Sequence, residues 1–285
     1  MPNAIFNKTC LSILRTNRFS QNSITFKNKN IFYLEYLPKD HNKKAEKTVT
    51  ILPGYGDSVF SWTHVLLWLS RQGYRVLALD FPGYMGMTPA LSNGAPIQFS
   101  EHEAIAEQFV QETAPSGMHA LIGNSLGGWF SMRLAARYSQ LVKSVIAVNP
   151  AGVITSWDEL DKTREMYNIR TYSEFLALMK LMWHRIPKYF YAFSLLGFYQ
   201  YARRKEFKEI FWNLDESHFV DHLLPEIKAP LHVIWGQSDR LFGHDLGKMI
   251  LEKHPETHYY PIPNCGHMPQ LEKPFTFIKM LRHIL

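Results

Sequence analysis

Three residue types in this 285-residue sequence could together attack a carbonyl group: a serine, a histidine and an aspartate. The serine is Ser125, in the run Gly123-Asn124-Ser125-Leu126-Gly127. Glycines two positions before and two positions after it allow a sharp turn that exposes the hydroxyl group. A serine hydroxyl is a weak nucleophile unless a base takes its proton, and that base needs a carboxylate to orient it. Ser125 is therefore a candidate nucleophile, and its partners must come from elsewhere in the chain.

His267 is the candidate base among 13 histidines. It lies in the loop 264–269, which follows the last predicted strand and precedes a final helix predicted from Lys273. Two other histidines fall on predicted surface helices and three in a helical segment, where a structural role is favoured: His64, His102, His184, His218 and His222. Position in the predicted fold thus favours His267.

Two aspartates compete for the role of the acid. Asp239 follows the predicted strand Leu231–Trp235 directly, at the place where a parallel sheet presents functional groups. Asp245 begins a predicted helix and is better explained as a group that stabilises the helix N-terminus. The sequence therefore predicts Asp239 as the acid and keeps Asp245 as its rival.

Apolar and β-branched runs alternate with helical patterns over most of the chain, which predicts βαβ units and a mostly parallel, doubly wound α/β sheet. An antiparallel hairpin is predicted at Ser23–Lys27 and Ile31–Leu37. Further strands are predicted at 48–52, 76–79, 118–122, 142–149, 231–235 and 257–262, and helices at 59–72, 101–112, 126–138 and 245–253. Functional groups collect at the carboxyl ends of such strands. The predicted sheet would therefore bring Ser125, Asp239 and His267 to one crevice, together with the glycine turn at 53–57.

The alternation stops between residues 151 and 227, and this segment is predicted to be an inserted helical cap. The predicted core is then 23–150 together with 228–285, and 1–22 is an extension without a motif. Aromatic residues and methionines are frequent in the cap. Most of them are expected to pack the cap, and a few are expected to line an apolar pocket: Met166, Phe175, Met179, Met182, Trp183, Tyr189, Phe190, Tyr191, Phe193, Phe198, Tyr199, Tyr201, Phe211 and Trp212.

Charge and cysteine content exclude several classes of protein. Residues 1–50 hold nine Lys or Arg against three acids, which accounts for the whole net charge of +6, so no nucleic-acid partner is predicted. Cys10 and Cys265 have neither a disulfide framework nor metal-ligand spacing, which favours a cytoplasmic protein without a metal.

The apolar run 189–199 is too short to cross a membrane, since a spanning helix needs about 20 residues. Lys188 precedes the run, and Arg203, Arg204 and Lys205 follow it. These flanking charges also allow association with a membrane surface. A buried cap helix is the favoured interpretation.

The chain resembles the α/β-hydrolase superfamily, in its serine hydrolase branch. Its elbow Gly123 to Gly128, its acid loop Trp235 to Arg240 and its loop Cys265 to Pro269 are similar to the family's nucleophile, acid and base motifs, in the same order. The resemblance implies an oxyanion hole formed by the backbone N–H groups of Tyr55 and Leu126. The family usually has His-Gly before the first of these donors, and this sequence has Pro53-Gly54 instead.

A serine at the elbow argues against the branches that use aspartate there, the dehalogenases and epoxide hydrolases. The elbow is similar to that of meta-cleavage-product carbon–carbon hydrolases, and Asn149 to Gly152 resembles monoacylglycerol lipase-like members. With an aromatic cap, the sequence predicts a hydrolase of carboxylic esters with an apolar acyl group, with a small-molecule substrate and no cofactor. Thioester, lactone and carbon–carbon bond hydrolysis remain alternatives, as does a ligand-binding receptor or scaffold on the same fold.

Overall fold

The computed structural model describes residues 2–39, 47–84, 86–91, 97–154, 156–202, 210–211, 213–243 and 245–285. Eight strands in these ranges form one sheet, in the order β1-β2-β4-β3-β5-β6-β7-β8. The strands are β1 (Phe19–Phe26), β2 (Lys29–Tyr36), β3 (Thr48–Leu52), β4 (Arg75–Leu79), β5 (Ala120–Asn124), β6 (Val145–Val148), β7 (Leu231–Gly236) and β8 (His258–Ile262). The fold is the predicted α/β class with a mostly parallel sheet.

Strands β3 to β8 are parallel, whereas β1 and β2 form an antiparallel hairpin whose second strand pairs with β4. The hairpin turn is Lys27-Asn28, and both residues have positive φ, at 46° and 61°. Two such residues form the turn that matches the right-handed twist of paired strands. The turn lies slightly earlier than predicted, and β1 begins at Phe19, inside the segment interpreted as an extension.

The chain crosses from β4 over β3 to reach β5, so the direction of winding reverses between β3 and β5. In open parallel sheets, the crevice at such a reversal is where ligands bind. The glycine turn at 53–57 follows β3, and Ser125 follows β5. The topology thus places these two loops side by side at the carboxyl edge of the sheet.

Helices cover both faces of the sheet, and each face has its own buried apolar cluster. Central strands such as β3 are buried along their whole length, which explains their continuous apolar and β-branched sequence. The helices that cover the two faces are α1 (Pro2–Thr16), α2 (Thr63–Arg71), α3 (Phe99–Thr113), α4 (Leu126–Arg137), α8 (Asp245–Lys253), α9 (Pro269–Glu272) and α10 (Pro274–Ile284).

Between β6 and β7 the chain forms helices α5 (Trp157–Tyr167), α6 (Tyr172–Met182) and α7 (Lys188–Ala202), followed by two short 3-10 helices. Ser156 and Thr171 are the N-cap residues directly before α5 and α6, and their hydroxyl groups accept hydrogen bonds from backbone N–H groups of the first turn. In the described residues this segment contains no strand. The division of the chain into a core and a cap remains a prediction.

One histidine differs from its prediction. His102 was expected on a surface helix, but it is buried on α3 between Phe81 and Tyr84, and burial lowers its pKa to about 4. The side of α3 that carries it faces the sheet, which the sequence pattern did not resolve.

Some predicted features lie outside the described residues. They are the charged loop at 40–46, the basic residues Arg203, Arg204 and Lys205, and Trp212. Within the ranges given above, none of the helices combines the length and the apolar character required to span a bilayer.

Candidate active site

Ser125 occupies a strained turn between β5 and α4. Its φ of 55° and ψ of −118° are unfavourable for a residue with a side chain, and strain of this kind is concentrated at functional sites. The turn is possible because its neighbours are glycines: a Cβ on Gly123 would lie 2.1 Å from the carbonyl oxygen of Gly127. A Cβ on Gly127 would in turn lie 2.0 Å from the carbonyl oxygen of Leu52. Only glycine therefore allows β5, α4 and β3 to approach each other around the serine.

His267 and Asp239 form a buried hydrogen-bonded pair. The Nδ1 atom of His267 lies 2.7 Å from Oδ2 of Asp239, and both side chains are almost completely inaccessible. The other oxygen of Asp239 accepts a hydrogen bond from the backbone N–H of Leu241, at 2.9 Å. An ionised carboxylate fits these donors, so Nδ1 carries the proton and Nε2 is left as the basic nitrogen.

The alternative acid is elsewhere. Asp245 begins α8 and is highly exposed, and its carboxylate pairs with Lys248 on the same helix. The structure therefore brings Asp239 to His267 and leaves Asp245 on the surface.

Three polar side chains that sequence reasoning missed hold these loops together. Asn124, the residue before the serine, donates hydrogen bonds from Nδ2 to the carbonyl oxygens of His267 and Val148, each at 3.0 Å. Gln270 donates to Oδ1 of Asn124 at 3.3 Å. The elbow and the histidine loop, more than 140 residues apart in the chain, are thus joined by direct hydrogen bonds.

Asn149 is the third of these side chains, at the end of β6. Its Nδ2 donates to Oδ2 of Asp239 at 2.7 Å, and its Oδ1 accepts from the N–H of Gly236 at 3.1 Å. Its φ of 41° marks it as a strained residue. The asparagine at a strand end was visible in the sequence, but its partner was not.

The first glycine loop lies against the serine. A Cβ on Gly54 would lie 3.1 Å from the carbonyl oxygen of Asn124 and 3.3 Å from Cβ of Ser125. Tyr55 follows directly, and Leu126 is the first residue of α4, whose N-terminus favours negative charge. These positions are compatible with the oxyanion hole predicted from the resemblance, which remains a prediction.

Comparison with known proteins identifies the family. A family model described as the alpha/beta hydrolase family matches residues 51–279. This protein belongs to the alpha/beta hydrolase family. The match covers the elbow, Asp239 and His267, and it leaves α1 and the β1–β2 hairpin outside.

Individual relatives of this alpha/beta hydrolase are distant. A 2-hydroxy-6-oxononadienedioate/2-hydroxy-6-oxononatrienedioate hydrolase from Burkholderia vietnamiensis (strain G4 / LMG 22486) is 25% identical over 266 residues, covering 85% of this chain and 88% of the relative.

Solved structures show the same fold at lower identity. A membrane phospholipase A described as a novel bacterial virulence factor has a TM-score of 0.79 at 22% identity, covering 98% of this chain and 91% of that one. A putative lipase from Acinetobacter baumannii AYE has a TM-score of 0.75 at 21% identity, covering 96% and 95% of the two chains.

Aromatic side chains from the loops after β3 and β4 and from the segment between β6 and β7 meet beside the first glycine loop. The ring of Tyr55 makes edge contacts with Tyr84, Tyr167 and Phe211, at centroid distances of 5.7, 5.5 and 5.1 Å. Tyr167 and Phe211 come from the helical segment between β6 and β7. Burial raises the pKa of Tyr167, and the charge of Asp239 raises it further. Apolar surface with neutral phenol groups therefore lies next to the serine and its partners.

Two acids lie in the loops that follow β3 and β4. Asp57 accepts hydrogen bonds from Ser61 Oγ at 2.6 Å and from the N–H of Ser58 at 2.8 Å. Asp80 accepts from two backbone N–H groups, those of Met87 and Thr88. Burial raises the pKa of each carboxyl to about 6. Both acids hold loops at the end of a strand.

The C-terminus of α6 is attached to the loops that carry Asp239 and His267. The carbonyl oxygen of Met182 accepts from the N–H of His267 at 2.6 Å, and that of Leu181 accepts from the N–H of Arg240 at 3.1 Å. The Arg240 guanidinium donates to the carbonyl oxygens of Lys180 and Trp183. The last carbonyls of α6, which a helix leaves without partners, are thus satisfied by these two loops.

His184 continues this attachment. Its Nδ1 lies 2.8 Å from Oγ of Ser238, and its backbone N–H donates to Glu272 at 2.8 Å. Glu272 also accepts from the N–H of Gly266 at 3.0 Å.

In the described residues, no group of three or more His, Cys, Asp or Glu side chains is arranged to hold a metal ion.

Proposed function

We propose that this protein is a serine hydrolase that cleaves carboxylic esters with an apolar acyl group through an acyl-enzyme. Ser125 is the nucleophile, His267 the base and Asp239 the acid in this proposal. The observation that carries it is the 2.7 Å hydrogen bond between His267 and Asp239, in loops that Asn124 ties to the serine turn. A histidine oriented and charge-stabilised in this way is the partner that a serine nucleophile requires.

The reaction follows from these positions. His267 Nε2 takes the proton of Ser125 as its oxygen attacks the ester carbonyl, and the resulting oxyanion accepts hydrogen bonds from the N–H groups of Tyr55 and Leu126. The carbon–oxygen bond to the alcohol then breaks, and His267 gives the proton to the departing alcohol. Water attacks the acyl-serine in the same way, which releases the carboxylic acid and restores Ser125.

An apolar acyl group fits the surroundings of the serine. Tyr55, Tyr167 and Phe211 present ring edges and faces, and such surfaces favour hydrocarbon over charged groups. The charge of Asp239 acts on Tyr167, so an anionic acyl group beside this ring would be repelled by that carboxylate.

A fluorophosphonate probe tests the nucleophile. We expect covalent labelling of the wild type at Ser125, because an activated serine attacks phosphorus as it attacks a carbonyl. Ser125→Ala should remove the mass increase, and Ser131→Ala, which replaces a buried serine within α4, should retain it. Persistent labelling of Ser125→Ala would show that another residue is the nucleophile.

Carbon–carbon bond hydrolysis is a second candidate, favoured by the similarity to the Burkholderia enzyme. Its substrates are named as dioates, which carry two carboxylates. Turnover of p-nitrophenyl butyrate and of a 2-hydroxy-6-oxo dienedioate by the same preparation separates the two candidates. We expect the ester to have the higher kcat/KM, and a preference for the dioate would replace the ester proposal.

A further inference from the structure

Exposed apolar side chains are concentrated on two neighbouring helices, α1 and α7, which contact each other. Of the nine large apolar or aromatic side chains that are exposed in the described part of the chain, six lie on these helices. We call them the α1–α7 face: Ile5 (65% exposed), Phe6 (51%), Ile13 (42%), Tyr191 (47%), Leu195 (62%) and Tyr199 (52%). Apolar side chains gathered in this way mark an interaction surface, whereas scattered ones need no explanation.

The exposed side of helix α1 carries both apolar and basic residues. Cys10 and Leu14 face the protein and are buried. At 100° per residue, Phe6 and Ile13 lie on one border of the exposed side, Ile5 lies near its centre, and Lys8 and Arg15 lie on the other half. The helix therefore presents an apolar edge and a basic edge to its surroundings.

Helix α7 contributes a narrow stripe. Lys188, Tyr191, Leu195 and Tyr199 follow each other at intervals of three or four residues, so they share one side of the helix. The first and last of Tyr191, Leu195 and Tyr199 are eight positions apart, or about 12 Å along the axis. Tyrosine combines an apolar ring with a polar hydroxyl, a combination that is enriched where hydrocarbon meets water.

The charge of this surface has one sign. Neither α1 nor α7 contains an acidic residue, and the first acid of the chain is Glu35. Lys8, Arg15 and Lys188 are all exposed, and none belongs to an ion pair in the described structure. The acids of the neighbouring strands are used elsewhere, since Glu35 pairs with Arg75.

We propose that the α1–α7 face docks on an anionic lipid surface, with its apolar side chains among the acyl chains and its cations at the headgroups. Helices that lie in a membrane interface have this composition: an apolar face, basic residues and aromatic rings. A second copy of the chain is a poorer partner, because a two-fold contact would bring the same three cations of each copy together. Docking does not depend on the proposed ester hydrolysis and is tested without it.

Co-sedimentation with vesicles measures the docking directly. Full-length protein is mixed with vesicles of phosphatidylcholine alone, or of phosphatidylcholine with phosphatidylglycerol, and the partition coefficient is taken from the pelleted fraction. We expect stronger binding to the anionic vesicles, by about fivefold for each basic side chain that reaches the surface. Added salt should weaken this binding through screening.

Single substitutions locate the face. Leu195→Ser and Phe6→Ser should each lower the partition coefficient by about tenfold or more, because each removes several carbons from the bilayer at about fourfold per methylene. Phe275→Ser is the matched control, since Phe275 is 85% exposed but lies on α10, and its partition coefficient should stay within about twofold of wild type. Circular dichroism and Tm, measured without vesicles, verify that each variant is folded.

The outcomes separate the alternatives. Loss of binding in Leu195→Ser and Phe6→Ser, with Phe275→Ser unchanged, supports the proposal. Absence of wild-type binding to anionic vesicles overturns it, as does equal loss in the control variant. A wild type that sediments as a dimer without vesicles, and becomes a monomer in Leu195→Ser, would assign the face to self-association instead.

Discussion

The loops at the carboxyl edge of the sheet and the helices between β6 and β7 are built in different ways. At the sheet edge, buried polar side chains are fixed by hydrogen bonds to backbone groups of distant segments, as Asn124 is by the carbonyl oxygen of His267 and Asn149 by the N–H of Gly236. In the helical segment, aromatic rings meet one another, and α7 exposes a stripe of them to the surroundings. Buried directional bonds dominate the first region, and contacts between apolar rings dominate the second.

Because of this difference, we expect the two regions to tolerate amino-acid substitutions to different degrees. A directional bond fails when one atom is replaced, because the remaining buried group is left without a partner. Apolar contact changes gradually with the number of carbon atoms buried. The proposed chemistry therefore depends on the sheet edge, and the proposed substrate preference depends on the helices. The hydrogen bonds to the end of α6 join the two.

The largest effect is expected at the acid. Asp239→Asn should lower kcat by about 10⁴-fold, because an amide no longer orients His267 or stabilises its charged form. Steady-state kinetics with a soluble p-nitrophenyl ester measure the loss. Since the change affects chemistry alone, acetyl and butyryl esters should lose the same factor.

Asp245→Asn is the control for this prediction, because Asp245 is an exposed aspartate on α8. It should retain wild-type kcat. A large loss in Asp245→Asn, combined with an active Asp239→Asn, would reverse the assignment of the acid.

The next largest effect is expected in the pH dependence of the free energy of unfolding, and it arises from the burial of Asp80 at the sheet edge. The pKa of Asp80 is raised by burial to about 6, so the folded protein binds its proton more tightly than the unfolded chain does. Its contribution to stability is therefore complete below about pH 4 and is lost as the pH rises through about 6. A shift of this size corresponds to about 3 kcal/mol in the free energy of unfolding.

Asp80→Asn should remove this part of the pH dependence, as measured by urea unfolding between pH 4 and pH 7. Asp57, whose pKa is also raised to about 6, contributes with the same sign and remains in the variant. Asp245→Asn should leave the pH profile as in wild type. An unchanged profile in Asp80→Asn would show that the Asp80 carboxyl is not destabilised in its charged form.

The smallest effect is expected in the helical segment. If Phe211 and its neighbours bind the acyl chain, kcat/KM should rise about fourfold for each added methylene until the pocket is full, and then fall. Acetyl and butyryl esters would then differ by at most about sixteenfold. Phe211→Ala should flatten this increase, while its kcat for the acetyl ester stays near that of wild type.

Trp157→Ala is the matched control, because Trp157 is an aromatic residue of the same segment that is exposed on α5. It should keep the wild-type profile. A profile of the wild type that is flat from acetyl to decanoyl esters, or activity confined to acetyl esters, would contradict the apolar pocket and favour carbon–carbon bond hydrolysis.

Much of the architecture could be predicted because it depends on local sequence. The predicted β3 matches the observed strand, Thr48–Leu52, and α8 begins and ends as predicted, since buried strands and amphipathic helices repeat with their own periods. The predicted ends of strands are less accurate: the sequence predicts Met118 within β5, whereas it forms only an isolated bridge with Val142. Where a strand begins depends on which neighbour it pairs with, and that is a tertiary property.

The sequence by itself determined the sheet class and the candidates Ser125, Asp239 and His267, because glycine spacing and the ends of strands can be recognised from residues that are adjacent in the chain. Only the tertiary structure decided how they are held: Asn124 joins the serine turn to the histidine loop, and Asn149 supports the acid. It also placed α1 beside α7, which creates the proposed docking face from two segments that are far apart in the chain. Such contacts join residues that no local pattern relates, so they exist only once the sheet has assembled.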